Sequence, residues 1–190
     1  MAATGRERIL QAAAELFAAQ GFAATSTREI AERAGVRQPS LYAHFKVKSD
    51  ILLELLVETL RPAVSQADVL MLSPLPARDR LVALLDFDIR ALFAGRRPVA
   101  VLGLLPEVRG PEFAEAHELR ERLRTGYTAL IRDVLTALGH PPGEEYLRRI
   151  SGIVFAVVES INLRRYEDPS LTVDDAVRDT TTAILRILGA

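Results

Sequence analysis

No cysteine occurs in the 190 residues, which excludes a disulfide framework, a thiolate metal site and a thiol nucleophile. The apolar stretches are broken by charge well short of the roughly 20 residues a membrane helix needs, and no secretory signal opens the chain. A soluble, cytoplasmic protein with no membrane partner is the expectation. Three histidines, His44, His117 and His140, fall on unrelated predicted elements. There is no His-Glu-x-x-His pair and no glycine-rich phosphate loop after a strand. No catalytic residue, metal site or cofactor is therefore expected, and an enzyme is not. Lysine is nearly missing as well: only two of the 24 basic residues are lysines, Lys46 and Lys48, and both fall at one junction between predicted helices. Internal repeats and low-complexity segments are missing too.

What is present is helical periodicity from end to end. Ile9, Ala13, Leu16 and Phe17 recur at helical spacing over residues 5–20, with Gly21 as the stop. The spacing then predicts a helix from near residue 47 that kinks or ends at Pro62. Further helices are expected over 78–94, over 99–105, from Pro111 to Gly139, over 144–166 and over 173–188. The last has a capping box in Thr172-x-x-Asp175. The formal charge is −1 but unevenly spread. Seven basic residues face five acidic ones up to Asp50, and seventeen face twenty beyond it. Such a weakly positive head is compatible with phosphate contact and equally with an ordinary solvated surface.

Residues 25–48, TSTREIAERAGVRQPSLYAHFKVK, carry the densest local signals. Ser26-x-x-Glu29 is a capping box, Gly35 stands where a helix would end in a left-handed residue, and Pro39 falls in the first turn of a second short helix. Leu41 and Phe45 share the buried side of that helix. Gln38, Ser40, Tyr42, Ala43 and His44 are left facing outward, a set of hydrogen-bonding or small groups suited to base edges and phosphates.

The stretch TSTREIAERAGVRQPSLYAHFKVKSDILL closely resembles the DNA-binding segment of the tetracycline-repressor (TetR) family, with its Ala-Gly-Val turn, Leu-Tyr-x-His-Phe helix and Lys48. The resemblance covers roughly the first 50 residues; the remainder is similar only in helical layout and length. It implies an all-α fold with a helix-turn-helix DNA-binding domain over 1–48 and a helical effector-binding and dimerisation domain over 49–190. Family members often have Ser or Thr where this chain has Val47, a departure from their capping pattern.

The function implied is a homodimeric repressor released from a palindromic operator by a small apolar or amphipathic effector, the homodimer forming through the last two helices. An effector-independent regulator, an activator and an architectural DNA binder are the alternatives. The resemblance favours Arg28 for base contact, against a solvated helix charge. Gln38 suits an adenine edge, and Arg37 a base or a phosphate. Pro39 and Ala43 suit a thymine methyl, while Thr27, Ser40, Tyr42, His44 and Lys48 suit phosphates.

Polar groups set among apolar ones mark the candidate effector site: Asp88, Tyr127, Glu159 and Asn162. Phe155, Glu159, Asn162 and Tyr166 follow at steps of four, three and four, so they share one helix side. The alternative for Glu159 is an ion pair with Arg148, Arg149 or another arginine at a dimer edge. His117 and Arg90 are weaker candidates, expected at a solvated surface.

Overall fold

The computed structural model describes residues 3–94 and 106–190; the side chains of Ala94, Pro106 and Tyr166 lie outside that description. Among the described residues there is no strand, and nine α-helices follow one another. They are α1 (Gly5–Gln20), α2 (Thr27–Ala34), α3 (Gln38–His44), α4 (Lys48–Met71), α5 (Ala77–Ala94), α6 (Ala114–Ala137), α7 (Glu144–Glu159), α8 (Ile161–Glu167) and α9 (Val173–Leu188). Two 3-10 turns, Pro106–Arg109 and Pro111–Phe113, precede α6. The helix expected over 99–105 falls outside the described residues. Among the described residues no helix is long and apolar enough to cross a membrane.

The chain forms two compact units. The first comprises the described residues up to Thr59 together with 106–117; its core is built on Ile9, Leu10, Phe17, Ile30, Leu41, Ile51 and Leu52, with Phe113 from the 3-10 turn. The second comprises Leu60–Ala94 and Glu118–Ala190. Leu81, Leu84, Leu85 and Ile89 of α5 are fully buried in it, as are Tyr127, Leu130, Val154 and Ile184. Helices α4 and α6 each contribute residues to both units.

Of the two readings at Pro62, a kink or an end, the end is excluded, and one other boundary is corrected. Pro62 does not end its helix: α4 continues to Met71, because a proline removes only one backbone donor and the apolar residues beyond it, Ala63, Val64, Ala67 and Leu70, are buried. The helix expected over 144–166 is two helices. Ser160 stands between them, closing α7 and opening α8. Its hydroxyl donates to the Val157 carbonyl at 2.7 Å, the back-bonding by which serine competes with the helix ladder and bends it.

Candidate nucleic-acid interface and polar cluster of the second unit

The first unit holds its short helices by local bonds. The Ser26 amide donates to the Glu29 carboxylate at 2.7 Å, and the Glu29 amide donates to the Ser26 hydroxyl at 3.2 Å. Gly35 closes α2 with φ of 63°, a conformation that side-chain-bearing residues rarely adopt, and Val36 then donates to the Ala31 carbonyl. Arg37 precedes α3, with Pro39 in the first turn. Leu41 and Phe45 are buried, while Arg37, Gln38, Pro39, Ser40, Tyr42, Ala43 and His44 are exposed. One side of α3 is therefore fixed in the core and the other is free. The Thr27 and Tyr42 hydroxyls share a hydrogen bond of 3.0 Å, tying the start of α2 to α3.

The basic residues of this unit differ in what they already touch. Arg28 pairs with Glu32 at 2.9 Å on an exposed helix face. Arg33 pairs with Glu15, and Arg6 with Glu54. The Lys48 ammonium donates to the Phe22 and Thr25 carbonyls and lies over the Phe22 ring. Burial pushes its pKa down from the usual lysine value, with Glu107 and Glu29 opposing. The start of α4 lacks a hydroxyl at Val47. From inside the helix, the Asp50 carboxylate instead accepts from the Lys46 and Val47 amides that precede it, at 3.0 and 3.1 Å.

In the second unit, α5, α6 and α7 bring together four of the sequence-derived effector candidates. The Tyr127 hydroxyl donates to Asp88 at 2.9 Å, and both side chains are buried. Phe155 meets the Tyr127 ring edge-on, with centroids 5.9 Å apart. Glu159, one turn beyond Phe155, pairs with Arg120, and the Arg120 and Arg124 guanidinium groups both lie over the Phe155 ring. Burial pushes the Asp88 carboxyl up to about 6; the Tyr127 hydrogen bond opposes this and the Glu159 charge adds to it. Burial and the adjoining Asp88 also push the Tyr127 hydroxyl well above its ordinary value.

Asn162 turns its amide to the Glu159 carbonyl at 3.2 Å, so it caps the break between α7 and α8. The Tyr166 side chain lies outside the described residues. Arg120 and Arg124 were missed from the sequence, although with Tyr127 they repeat at steps of four and three. Arginines at that spacing read as a solvated stripe until Phe155 is known to lie under them. His117 bonds the Val108 carbonyl at 2.7 Å and is a structural tie. Arg90 pairs with Asp86 and Asp174.

Residues 9–55 match the family described as bacterial regulatory proteins, tetR family. The chain is similar to the HTH-type transcriptional repressor KstR2 of Rhodococcus jostii, 35% identical over 96 residues that make up 50% of this chain and 47% of that protein. It is also similar to the fatty acid metabolism regulator protein of Bacillus subtilis, 27% identical over 68% of this chain and 65% of the relative. The chain thus matches less than two thirds of the length of these curated relatives. A solved structure, that of Mycobacterium smegmatis AmtR, superposes with a TM-score of 0.89 at 39% identity, over 99% of this chain and 87% of that one. The Bacillus subtilis regulator FadR, solved with stearoyl-CoA, shares the fold at a TM-score of 0.71 and 19% identity. With a matched DNA-binding segment, an exposed recognition-type helix on a fixed core and a relative similar over nearly the whole chain, the protein belongs to the TetR family of bacterial DNA-binding transcriptional regulators.

Proposed function

We propose that the protein is a homodimeric repressor that binds a palindromic operator and is released from it by a small apolar or amphipathic effector. The free side of α3, standing over buried Leu41 and Phe45, carries this reading. It offers Gln38 to an adenine edge, Pro39 and Ala43 to thymine methyls, and Ser40, Tyr42 and His44 to phosphates. Thr27 and Arg28 approach from the start of α2, and Arg37 from the turn. Arg28 leaves Glu32 to reach a guanine, giving up an exposed pair that contributes little to stability. Lys48 acts from the edge of the head, which spans residues 1–48.

The body, residues 49–190, binds the effector at Asp88, Tyr127, Phe155, Glu159, Asn162 and Tyr166. It pairs with a second copy through α7, α8 and α9. A chain of bonds from Asp88 to Tyr127 and from Glu159 to Arg120 has alternatives that a ligand can supply. The effector binds better to conformers whose two heads do not match the half-sites, and so shifts the population away from DNA. Half-sites about one helical turn apart, roughly 34–36 Å, are the minimum such a dimer would read.

Footprinting on DNA from upstream of the gene, at several salt concentrations, tests this. Protection of a palindrome is expected, and Gln38→Ala should lose preference at one base pair, worth about 1–3 kcal/mol. If Gln38→Ala weakens every operator variant equally, that residue reads no base.

A further inference from the structure

Seven basic side chains lie within the first 48 residues, and the structure separates those whose charge is already engaged from those whose charge is not. Arg6, Arg28 and Arg33 are paired with Glu54, Glu32 and Glu15, and the Lys48 ammonium is held by loop carbonyls. Among the described residues, the guanidinium groups of Arg8 and Arg37 and the ammonium of Lys46 make no ion pair or hydrogen bond, and all three residues are exposed. The distinction matters because salt-dependent DNA affinity follows the net positive charge delivered to phosphates. A paired arginine that turns to a phosphate leaves its carboxylate facing the same polyanion, so it delivers little.

The three free cations also stand at particular places on the head. Arg37 is the residue before α3. Arg8, from α1, reaches the turn that leads into α3: its Nη1 lies 3.7 Å from the point where a Cβ on Gly35 would stand. Lys46 follows Phe45, the residue that closes α3. At a rise of about 1.5 Å per residue, the seven residues of this short helix span on the order of 10 Å. The major groove of B-DNA is about 12 Å wide. The start of α3 therefore has two unpaired cations beside it and its end has one, on a helix whose length is comparable with the width of the groove.

We propose that Arg8 and Lys46, together with Arg37, are the phosphate clamps of the head, Arg8 and Arg37 holding one wall of the groove and Lys46 the other. The inference rests on the reading that α3 enters the major groove. It assigns Arg8 and Lys46 a role in positioning α3, with no part in reading bases.

The test is the slope of log affinity against log salt, measured on the footprinted operator and on an unrelated duplex of equal length. Arg8→Gln and Lys46→Gln should each reduce the slope by about 0.9 per protomer, so by roughly two per dimer, and the double variant by about twice that. Arg8→Lys should keep the wild-type slope, since it keeps the charge. The neutralised pair Arg33→Gln with Glu15→Gln should also keep it. Preference among operator variants should be unchanged in Arg8→Gln and Lys46→Gln.

An unaltered slope in the double variant, on DNA that the wild type binds, overturns the clamp. A lost preference at one base pair in either single variant overturns it for that residue. Failure of the repressor reading looks different: the wild type then gives no footprint, yet the slopes on the unrelated duplex still judge Arg8 and Lys46. A wild type that binds neither duplex at low salt overturns both.

Discussion

At the scale of single residues, Asp88 carries a desolvation cost in the second unit. Its carboxyl is buried, accepts the Tyr127 hydroxyl and is raised from 3.8 to about 6. Between about pH 4 and pH 6 the native state therefore holds a proton that the unfolded chain has released. Stability falls as pH rises through that window, and above it the folded protein carries the full cost of a buried carboxylate. A rise of about two pKa units corresponds to roughly 3 kcal/mol at most. Asp88→Asn keeps an acceptor for Tyr127 and removes the charge. The variant should gain about 1–3 kcal/mol over the wild type at pH 7.5 and little at pH 4.5, read from urea unfolding at both values. Equal destabilisation at both pH values would show that no desolvation cost attaches to the carboxylate. The repulsion from Glu159, felt only while residue 88 carries a charge, is part of that gain.

At the scale of elements, α4 and α6 approach so closely within the second unit that at one point only the Ala67 methyl separates them. A Cβ on Gly126 would stand 2.9 Å from the Ala67 Cβ, closer than carbon atoms tolerate, and Arg122 pairs with Asp68 one turn away at 2.9 Å. Gly126→Ala sets two effects against each other. Alanine gains about 1 kcal/mol over glycine in a helix, while overpacking a core costs about 1–3 kcal/mol. The clash should win in the single variant, a net loss of up to about 2 kcal/mol, and adding Ala67→Gly should restore most of it. A double-mutant cycle by chemical denaturation measures the coupling; a stabilised Gly126→Ala would show that the two helices part freely there.

Helix contacts of this kind also mark where sequence reading stops. Ser26, Glu29, Gly35 and Pro39 announce their roles because a cap or a turn is decided within four residues. The Asp88, Tyr127, Phe155 and Glu159 cluster was half legible: polar groups among apolar ones are visible in one dimension, and their partners are not. Nothing in the sequence tells which of 22 arginines meets Glu159, and the answer, Arg120, comes from packing α6 against α7. Val47 offers no capping hydroxyl, and the bonds that hold the entry to α4, from the Lys46 and Val47 amides to Asp50, come from within the helix. Ser160 gave no strong break signal, because serine tolerates either a helix or a bend.

At the scale of the whole molecule, one head is too small to select a site in a genome. Single DNA-binding modules bury only about 600–1,000 Å², and the specificity proposed here needs two heads held together. Helices α7 and α9 keep large apolar side chains in water, Ile153 at 51% exposure and Ile187 at 41%, while Val154, Val158 and Ile184 on the same helices are buried. A helix that buries one side in its own unit and leaves isoleucine on another is suited to packing on a second copy. Replacing Ile153 and Ile187 together by aspartate places charge where a dimer would bury it and spares the fully buried Val154 and Ile184. The doubly substituted protein should keep its helical circular dichroism and sediment as a monomer at concentrations where the wild type is a dimer. It should lose the footprint, with operator affinity down by about 10³ or more, toward its salt-sensitive binding to random duplex. A variant that stays dimeric, or a monomer that still protects the palindrome, would place the pairing of heads on some other surface.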